Sequence, residues 1–586
     1  MTQATRISLS ALILAACGGG PGTPALDAGD GPAPSDGATA DGPAPSDGGL
    51  PDGVPTPDAS PVDAGPVACG TPAPIPSATT MVGPTGGAVT LAGPLRPTLT
   101  VPTGALAATT ALTVTPTIVE LPASRRALSA VYALLPEDVV FATPATLAID
   151  AGALPDPDDV ALFVSETAAG PYTQVVTART GTVYTADVPG GVYAYAARVS
   201  AAPALTATTC APVTLTPYVP PPPAEPPPPA GVMFSALPLS GDYYAIYPRA
   251  TAGGFTFTGA FKLESLWTAV LAPYSAAGVG AAPQSFRQLP RYLMTAESVP
   301  STGGSTLVAY ESNAAGSEIW VTRRDAAGQA VGTAVAISGT PVFDLHPRLV
   351  PTAAGGAFVA WLVRDTTANT TRIRAAAVAA DLTVTRVFDV TTPQPGVGVG
   401  YPVVVSDGVT AGVVWPWNDN SGAAGVQFQS FDALTGCART EIIPVAAGLV
   451  AAVQVSATAV GAQGLIAYSR TGSIDATRLR LIDLATGHLG ASRMLGPGLH
   501  HTGVAVSATD GPVVIGIDDG TVPSSIRGYH LTRELDPRTT AFTIGTVRAT
   551  ADVVQAAASG DQGAAGWTSE TPQTVEGRIA IFDCSP

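Results

Sequence analysis

Cys17 is the residue whose surroundings most clearly indicate chemistry. It follows Leu14-Ala15-Ala16 and a short apolar run that begins at Ile7, with the single basic residue Arg6 upstream. A run of about ten apolar residues is too short to cross a bilayer of about 30 Å as a helix. The pattern is typical of a secretion signal with a small-residue cleavage site. Cleavage would leave Cys17 at the new amino terminus, where its thiol can be acylated.

Leu14-Ala15-Ala16-Cys17 resembles the lipobox of bacterial lipoproteins, in which this cysteine becomes the acylated amino terminus. The resemblance implies a signal peptide at residues 1–16 and a membrane partner bound through lipid, and two or more acyl chains hold a protein firmly. Gly18 is not the Asp that usually retains lipoproteins at the inner membrane. We therefore expect the outer membrane of a Gram-negative bacterium, on its periplasmic side or at the cell surface. An ordinary secretory signal is the alternative.

The other four cysteines are candidates for disulfides in an oxidising compartment. They are Cys69, Cys210, Cys437 and Cys584. Of the three possible pairings we favour Cys69–Cys210, which bracket one predicted domain, and Cys437–Cys584, which occupy matching positions in a repeat. Each bridge would close a loop of roughly 140 residues and add about 4–5 kcal/mol in the chain-entropy model. Free buried thiols are the alternative.

The histidines do not form a zinc motif. The five are His346, His488, His500, His501 and His530, and none belongs to a His-x-x-x-His pair. His500 and His501 are adjacent, so in a strand their side chains point to opposite faces. We therefore expect no metal and no cofactor.

Acidic residues cluster in three short segments, Asn418 to Gly422, Asp518 to Gly520, and positions 156–159. Each could be a sparse calcium loop, but a turn needs the same residues and is the favoured interpretation. Glu297 and Asp344 are candidates for a glycosidase-type carboxylate pair, although spacing alone does not show that they converge. The sequence contains no Gly-x-Ser-x-Gly elbow, no phosphate-binding glycine loop and no sialidase-type Ser-x-Asp-x-Gly-x-x-Trp turn.

The composition favours an all-β chain of several domains. The 586 residues exceed one core and suggest two to four domains, while 64 Gly, 57 Pro and only 12% charged residues indicate many turns and few amphipathic helices. The net charge of −17 argues against nucleic acid as a partner, because phosphate binding needs a basic face. The uncharged stretch from Ile442 to Ser469 is broken by Gly and polar residues and is interpreted as two buried strands and a turn.

Residues 17–78 form a low-complexity segment that we expect to be a disordered tether. The sequence from Asp30 to Gly37 recurs unchanged from Asp41 to Gly48. Few side chains in it could be buried to offset the entropy of ordering, and proline with repeated Asp favours an extended chain.

Residues 79–210 carry short alternating strands separated by Gly and Pro, which predict a β-sandwich. The segments 100–106, 141–147 and 190–193 resemble ZU5-like sandwich modules of bacterial surface proteins. That resemblance implies a structural or interaction domain without catalytic residues. Residues 211–230 are predicted to be a stiff polyproline linker that separates this domain from the next.

Residues 231–586 contain a repeat of about 50 residues. Its marker is an apolar strand ending in an aromatic residue, found at Val308–Tyr310, Val359–Trp361, Val413–Trp415, Ile466–Tyr468 and Ala565–Trp567, with divergent copies at Val513–Gly516 and Gly254–Phe257. Seven such units predict a seven-bladed β-propeller. The last unit lacks an outer strand, which Val232–Leu239 is predicted to supply. A row of immunoglobulin-like sandwiches is the rival interpretation.

These features favour an outer-envelope lipoprotein that presents a non-catalytic propeller as a binding or scaffold platform for a protein or polysaccharide. The alternative is a lipid-anchored carbohydrate-active enzyme, a glycosidase or lyase built on the propeller. The two differ at the central face: two or three carboxylates that converge on one pocket would favour the enzyme, and a face of small residues would favour binding.

Overall fold

The computed structural model confirms an all-β chain of antiparallel sheets. The structure describes residues 68–583 except 94, 120, 122–124, 153, 155, 202–210, 217–241, 252, 264–265, 290–294, 313–316, 327, 339–342, 451–452, 471–476, 496–498, 508–510, 519–523, 539, 547–553, 560–561 and 571–574. Within these ranges the helical elements are two short 3₁₀ turns, Pro157–Asp159 and Thr302–Gly304. None of the described helices is long and apolar enough to span a membrane.

The first part of the described chain forms two sheets, which we call the sheet pair. Its strands are β1 (Ala78–Val82), β2 (Gly87–Thr90), β3 (Thr98–Val101), β4 (Thr110–Thr117), β5 (Arg126–Ala127), β6 (Val131–Leu135), β7 (Ala145–Asp150), β8 (Val160–Ser165), β9 (Thr173–Gln174), β10 (Ala178–Thr180), β11 (Val183–Val188) and β12 (Tyr193–Arg198). One sheet has the order β1-β4-β6-β12-β8-β9, with β5 beside β12, and the other β10-β11-β7-β3-β2. Alternate apolar residues of both sheets share one core, for example Leu99, Leu112, Leu147 and Leu162.

The remaining strands form seven further sheets, numbered I to VII in chain order, which we call the seven-sheet region. The strands are β13 (Ala211–Val213), β14 (Asp242–Thr251), β15 (Gly254–Leu263), β16 (Leu266–Ser275), β17 (Gln284–Leu289), β18 (Ala296–Pro300), β19 (Thr306–Ser312), β20 (Glu318–Arg324), β21 (Val335–Ala336), β22 (Phe343–Pro351), β23 (Ala357–Asp365), β24 (Thr370–Val378), β25 (Val384–Asp389), β26 (Val397–Val399), β27 (Val403–Ser406), β28 (Thr410–Asp419), β29 (Ala423–Asp432), β30 (Ile443–Val450), β31 (Val453–Val460), β32 (Gln463–Arg470), β33 (Arg478–Asp483), β34 (Leu489–Met494), β35 (Leu499–Ser507), β36 (Gly511–Asp518), β37 (Ser525–His530), β38 (Phe542–Thr546), β39 (Val554–Ser559), β40 (Gln562–Glu570) and β41 (Val575–Asp583).

Each of the seven sheets is built from strands that follow one another along the chain. Sheets I, II and III are β14–β17, β18–β21 and β22–β25; sheet IV is β26–β30, with β26 and β27 both paired to β28; sheets V and VI are β31–β34 and β35–β38. Sheet VII is β39–β41 together with β13. The first strand of each sheet, or β27 in sheet IV, contacts the corresponding strand of the next sheet, and β39 of sheet VII contacts β14 of sheet I. The contacts between consecutive sheets therefore close into a cycle.

The strand that carries the repeated aromatic marker directly follows the cavity-side strand of its sheet; it is the second strand in four of these sheets and β28, the third strand, in sheet IV. Its aromatic side chain is almost completely buried and packs in the cluster shared with the preceding sheet. Trp361, for example, lies between sheets II and III, and Trp415 lies between sheets III and IV. A ring of this size buries roughly 150–250 Å². The sequence repeat therefore marks large side chains that pack between neighbouring sheets.

Two sequence predictions about strands differ from the structure. The outer strand of sheet VII is Ala211–Val213, which pairs with β41 and falls within the range predicted as linker. The prediction that Val232–Leu239 supplies this strand is therefore wrong, and that segment lies outside the described residues. The apolar stretch from Ile442 to Ser469 contains three strands, β30, β31 and most of β32, rather than two.

The disulfide joins Cys69 to Cys437, with their Cα atoms 5.3 Å apart. The predicted pairs Cys69–Cys210 and Cys437–Cys584 are therefore wrong, because each of these two sulfurs is already bonded. Cys210 and Cys584 themselves lie outside the described residues. The physical reason is the path of the chain before β1: Ala73 donates a backbone hydrogen bond to Arg439 O at 2.7 Å and accepts one from Glu441 N at 2.8 Å. This pairing lays the segment beside sheet IV.

The sheet pair packs directly against the seven-sheet region, whereas the sequence predicted two bodies separated by a spacer. One hydrophobic cluster continues from the sheet pair into the space between sheets IV and V. Tyr132 Oη lies 3.2 Å from His488 Nε2, and Arg480 donates to Val119 O at 3.1 Å. Contacts of this kind depend on residues more than 350 positions apart, and spacing along the chain gives no sign of them.

Candidate functional site

An open cavity of about 40 Å³ is bordered by the first strands of six sheets and by β27 of sheet IV. We call it the central cavity. The residues that line it are Tyr247, Pro248, Arg249, Glu297, Arg348, Val403, Val404, Ser456, Ala457, Val504, Gln555 and Ala556. A concave site with a few convergent polar groups has the character of a small-ligand site. The polar groups are concentrated on sheets I, II and III.

Irregularities in the first strands aim these side chains. The register shifts between Tyr243 and Ile246 in β14 and between Leu345 and Arg348 in β22. Cavity-lining residues follow each shift directly. A bulge bends a strand and redirects the side chains beyond it. In β22 the bulge contains His346, whose φ of 54° is in the left-handed region that few non-glycine residues adopt.

Glu297 is the carboxylate of the cavity wall, and it connects three sheets. Its side chain is only 3% exposed. One oxygen accepts a hydrogen bond from Arg249 Nη2, and the other accepts one from Leu349 N at 3.0 Å. Both oxygens of Glu297 are therefore engaged in holding sheets I and III to sheet II.

Arg249 is only partly satisfied by these contacts. Its Nη2 also donates to Leu349 O at 3.0 Å, but its Nε is buried without a hydrogen-bond partner among the described residues. The side chain is 31% exposed. A guanidinium carries five donors, so this residue retains donors for a further acceptor.

Arg348 has no ion-pair partner in the part of the chain that the structure describes. Its Cζ lies 4.2 Å from the centroid of the Tyr247 ring, a cation–π arrangement that joins sheets III and I across the cavity. Its Nε is buried, and no described residue accepts a hydrogen bond from it. Burial raises the pKa of Tyr247, so the phenol stays neutral and does not serve as a counter-charge.

Ser456 adds a third unsatisfied polar group on the opposite wall. Its side chain is 5% exposed, and its Oγ has no hydrogen-bond partner among the described residues. Gln555 on β39 also lines the cavity, and the other lining residues from sheets IV to VII are Val and Ala. A buried hydroxyl without a partner costs about 1–3 kcal/mol, a cost that a ligand atom at this position would remove.

The predicted pair Glu297 and Asp344 does not converge. Glu297 accepts a hydrogen bond from Leu349 N and lines the central cavity, and a bulge in β22 lies between Leu349 and Asp344. Asp344 is completely buried and accepts a hydrogen bond from Trp361 Nε1 at 2.9 Å, inside the packing between sheets. Glycosidase carboxylates flank one substrate bond, and Asp344 does not line the cavity that Glu297 borders.

Glu311 is a buried acid whose surroundings favour a proton. Burial raises its pKa from 4.5 to about 7, although hydrogen bonds from Ser317 and from His346 N act in the opposite direction. Ser317 Oγ lies 2.7 Å from both Glu311 Oε1 and Asp344 O. Since a hydroxyl has one hydrogen, a chain in which protonated Glu311 donates to Ser317 and Ser317 donates to Asp344 O satisfies every group. Glu311 is 1% exposed and does not line the central cavity.

The other sequence candidates serve structure. Asp419 accepts hydrogen bonds from Ser421 N, Ser421 Oγ and Ala423 N, and so closes the β28–β29 hairpin, in agreement with the turn interpretation. Asp518 pairs with Arg527 at 2.5 Å. Among the described residues no three metal-ligating side chains form a cluster. Cys17 and the side chains of His500 and His501 lie outside what the structure describes.

A second group of arginines lies where the sheet pair meets sheets V and VI, and we call it the docking network. Arg126 donates to Asp536 Oδ2 at 2.8 Å, and Arg198 holds Glu534 through two bonds of 2.6 and 2.5 Å. Arg493 Nη2 lies 3.0 Å from Asp536 Oδ1. Asp159 completes the group at 3.7 Å from Arg126 and Arg198.

Neither the cavity arginines nor the docking network was predicted from the sequence. A local signal for the central cavity does exist: Tyr247-Pro248-Arg249 and His346-Pro347-Arg348 share the order ring, proline, arginine, and Tyr401-Pro402 precedes β27 in sheet IV. The two complete copies lie at or just after the register shifts of β14 and β22. The docking network has no such signal, because its members meet only through tertiary packing.

Comparison with known proteins gives no family. No protein-family model and no curated protein matches the sequence. Among solved structures the chain is similar to the β-propeller domain of the Trilobed protease from Pyrococcus furiosus (9% identity, 59% of this chain and 97% of that chain, TM-score 0.36). It is also similar to an α-L-arabinofuranosidase from Fusarium graminearum (12%, 50% and 93%, 0.35) and to a Hadza microbial sialidase (11%, 80% and 98%, 0.34). Similarities at this level do not assign an activity.

Proposed function

We propose that this chain is an outer-membrane lipoprotein that presents a seven-bladed β-propeller as a non-catalytic binding platform. In this proposal the sheet pair is a ZU5-like β-sandwich that braces the propeller, and Cys17 carries the lipid. The ligand is a protein or polysaccharide of the envelope, and the fold itself requires no metal or cofactor.

One observation carries the choice of binding over catalysis. Among the described residues that border the central cavity, Glu297 is the single carboxylate, and both of its oxygens are already engaged. Glycoside hydrolysis canonically uses two carboxylates that flank the scissile bond. The acid with a pKa suited to proton transfer, Glu311, is buried among protein groups.

The closed cycle of contacts supports the propeller. A hydrophobic cluster fills each of the seven junctions, including the junction of sheet VII with sheet I, where Ile581 packs with Phe255. Such a ring leaves few free sheet edges. The outer strand Ala211–Val213 arrives from the sheet pair and would lock the two bodies together.

The lipid anchor is tested by metabolic labelling. Radiolabelled palmitate should enter the wild-type chain and be absent from Cys17→Ala, while Cys69→Ser serves as a matched cysteine control that keeps its label. Equal labelling of wild type and Cys17→Ala would remove the anchor.

The binding function is tested with the full chain in detergent and fractionated envelope polysaccharide and protein. We expect saturable retention of one fraction with no new reducing ends or peptide termini. Release of product that depends on Glu297, measured with Glu297→Gln, would replace the platform with the enzyme.

A further inference from the structure

We propose that the central cavity binds the carboxylate of a small organic anion, which is held between Arg249 and Arg348. This inference goes beyond the proposed binding platform, because it assigns a small ligand to the cavity rather than an envelope macromolecule. No other feature of the described residues combines unsatisfied donors, a cavity and an uncompensated charge.

The charge balance of the cavity calls for one negative charge. Arg249 and Arg348 face the cavity with Glu297 as the only acid of its described lining. Arginine cannot lose its proton in a protein, so the excess of one positive charge is permanent. It persists in a chain whose net charge is −17. A partly buried charge without a partner is costly, and an anion of charge −1 removes that cost.

The donors match a carboxylate in kind. Arg348 is oriented by the Tyr247 ring at 4.2 Å, and the Nε of both arginines is buried without a hydrogen-bond partner among the described residues. A planar guanidinium edge pairs with the two oxygens of a carboxylate. Ser456 is 5% exposed and its Oγ has no partner within the described part of the chain; it lines the same space from sheet V and would bond a polar atom elsewhere on the ligand.

A monoanion fits better than phosphate. A phosphate monoester carries about −1.5 to −2 charges at pH 7 and would stand near the carboxylate of Glu297. The remaining wall is apolar, formed by residues such as Val403, Val504 and Ala556. That wall suits the carbon skeleton of an organic acid, and its polar members, Ser456 and Gln555, are neutral and do not compensate a second negative charge. The cavity is open to solvent, so a ligand can extend beyond its volume of about 40 Å³.

The test is titration of the full chain in detergent, by calorimetry or ligand-observed NMR, with four probes: benzoate, glucuronate, inorganic phosphate and the neutral amide benzamide. We expect benzoate or glucuronate to saturate, phosphate to bind more weakly and benzamide not to bind. Equal affinity for benzamide, or no saturation by either carboxylate, would overturn the proposal without any variant being needed. Preference for phosphate would also overturn it.

Variants locate the site. Arg348→Gln should weaken carboxylate binding by about tenfold to a hundredfold, the range expected for losing hydrogen bonds to a charged group. Glu297→Gln, which removes the competing negative charge, should strengthen it severalfold. Arg179→Gln, on the exposed edge of the sheet pair, is the matched control and should leave affinity unchanged. A loss equal in Arg348→Gln and Arg179→Gln would contradict the assignment.

The two proposals fail separately. If envelope ligand is retained by Arg348→Gln as well as by wild type, and carboxylates do not bind, the cavity inference fails and the platform stands. If carboxylates saturate the cavity but no envelope fraction is retained, the platform fails and the anion site stands.

Discussion

The docking network and the central cavity both place arginines in largely apolar surroundings, but they differ in how many carboxylates face them. In the docking network three arginines meet three acids, and Arg126, Arg198 and Asp536 are 8%, 6% and 1% exposed. In the central cavity Arg249 and Arg348 meet only Glu297. The first group is electrically closed, and the second carries a surplus charge beside open space.

This difference in charge balance distinguishes the arginines that stabilise the fold from those that are available to a ligand. Removing one member of a buried and balanced network strands the charges that remain, so the network resists change. A surplus arginine beside a cavity contributes less to folding, because no carboxylate of the described residues compensates its charge. The local charge balance thus separates structural arginines from ligand-binding arginines, which residue type alone does not do.

The largest expected effect comes from breaking the docking network at Asp536. Asp536→Ala leaves Arg126 and Arg493 buried without their carboxylate, and we expect the free energy of unfolding to fall by about 3–5 kcal/mol. Urea unfolding of the full chain, followed by tryptophan fluorescence, measures it. Asp158→Ala removes the partner of Arg179 in an exposed pair with Asp158 92% exposed, and it should change stability by less than about 1 kcal/mol. Similar losses in both variants would erase the distinction between buried and exposed pairs.

A covalent link reinforces the same side of the comparison. Cys69→Ser combined with Cys437→Ser removes a bridge between residues 368 positions apart, and we expect a loss of about 2–4 kcal/mol. The measurement is the denaturation midpoint of the double variant against wild type, with non-reducing mass mapping to verify the bridge. A cross-link that maps to Cys210 or Cys584 instead would contradict the pairing.

How much the sequence could predict follows the same division between local and distant causes. The aromatic markers were readable because each one, such as Trp361 or Trp415, fills the junction with a neighbouring sheet through a pattern carried within its own unit. The partner of Cys69 was not readable, since it depends on Ala73 pairing beside sheet IV. The cavity arginines are intermediate between these cases. A local order of ring, proline and arginine marks them, but their common position at the cavity depends on how the strands converge in the fold.

Glu311 is another buried group without a balancing charge, but unlike an arginine it can be neutralised by a change in protonation. Burial raises its pKa from 4.5 to about 7. The folded state therefore binds the proton more tightly than the unfolded state, so this stabilisation is complete below pH 4.5 and is lost as the pH rises to 7. The loss is roughly 3 kcal/mol at 1.36 kcal/mol per pKa unit.

Glu311→Gln should flatten that pH dependence. Relative to wild type, the variant should gain roughly 2–3 kcal/mol of stability between pH 4.5 and pH 7.5, measured by urea unfolding at several pH values. Asp158→Asn, on the exposed surface, is the control and should follow the wild-type curve. Parallel curves for wild type and Glu311→Gln would show that Glu311 is ionised in the fold, and the proton chain through Ser317 would be wrong.

The smallest expected effect is the one that most directly separates the two regions. Arg348→Gln should change the free energy of unfolding by less than about 1 kcal/mol, because it removes a surplus charge together with one cation–π contact worth about 0.5–1 kcal/mol. Thermal and urea unfolding in ligand-free buffer measure it. Arg198→Gln is the matched change in the docking network, where the bidentate bond to Glu534 is lost, and it should cost several times more. If the two glutamine variants lose equal stability, Arg348 is a structural residue, and the surplus charge of the cavity has no need of an anion.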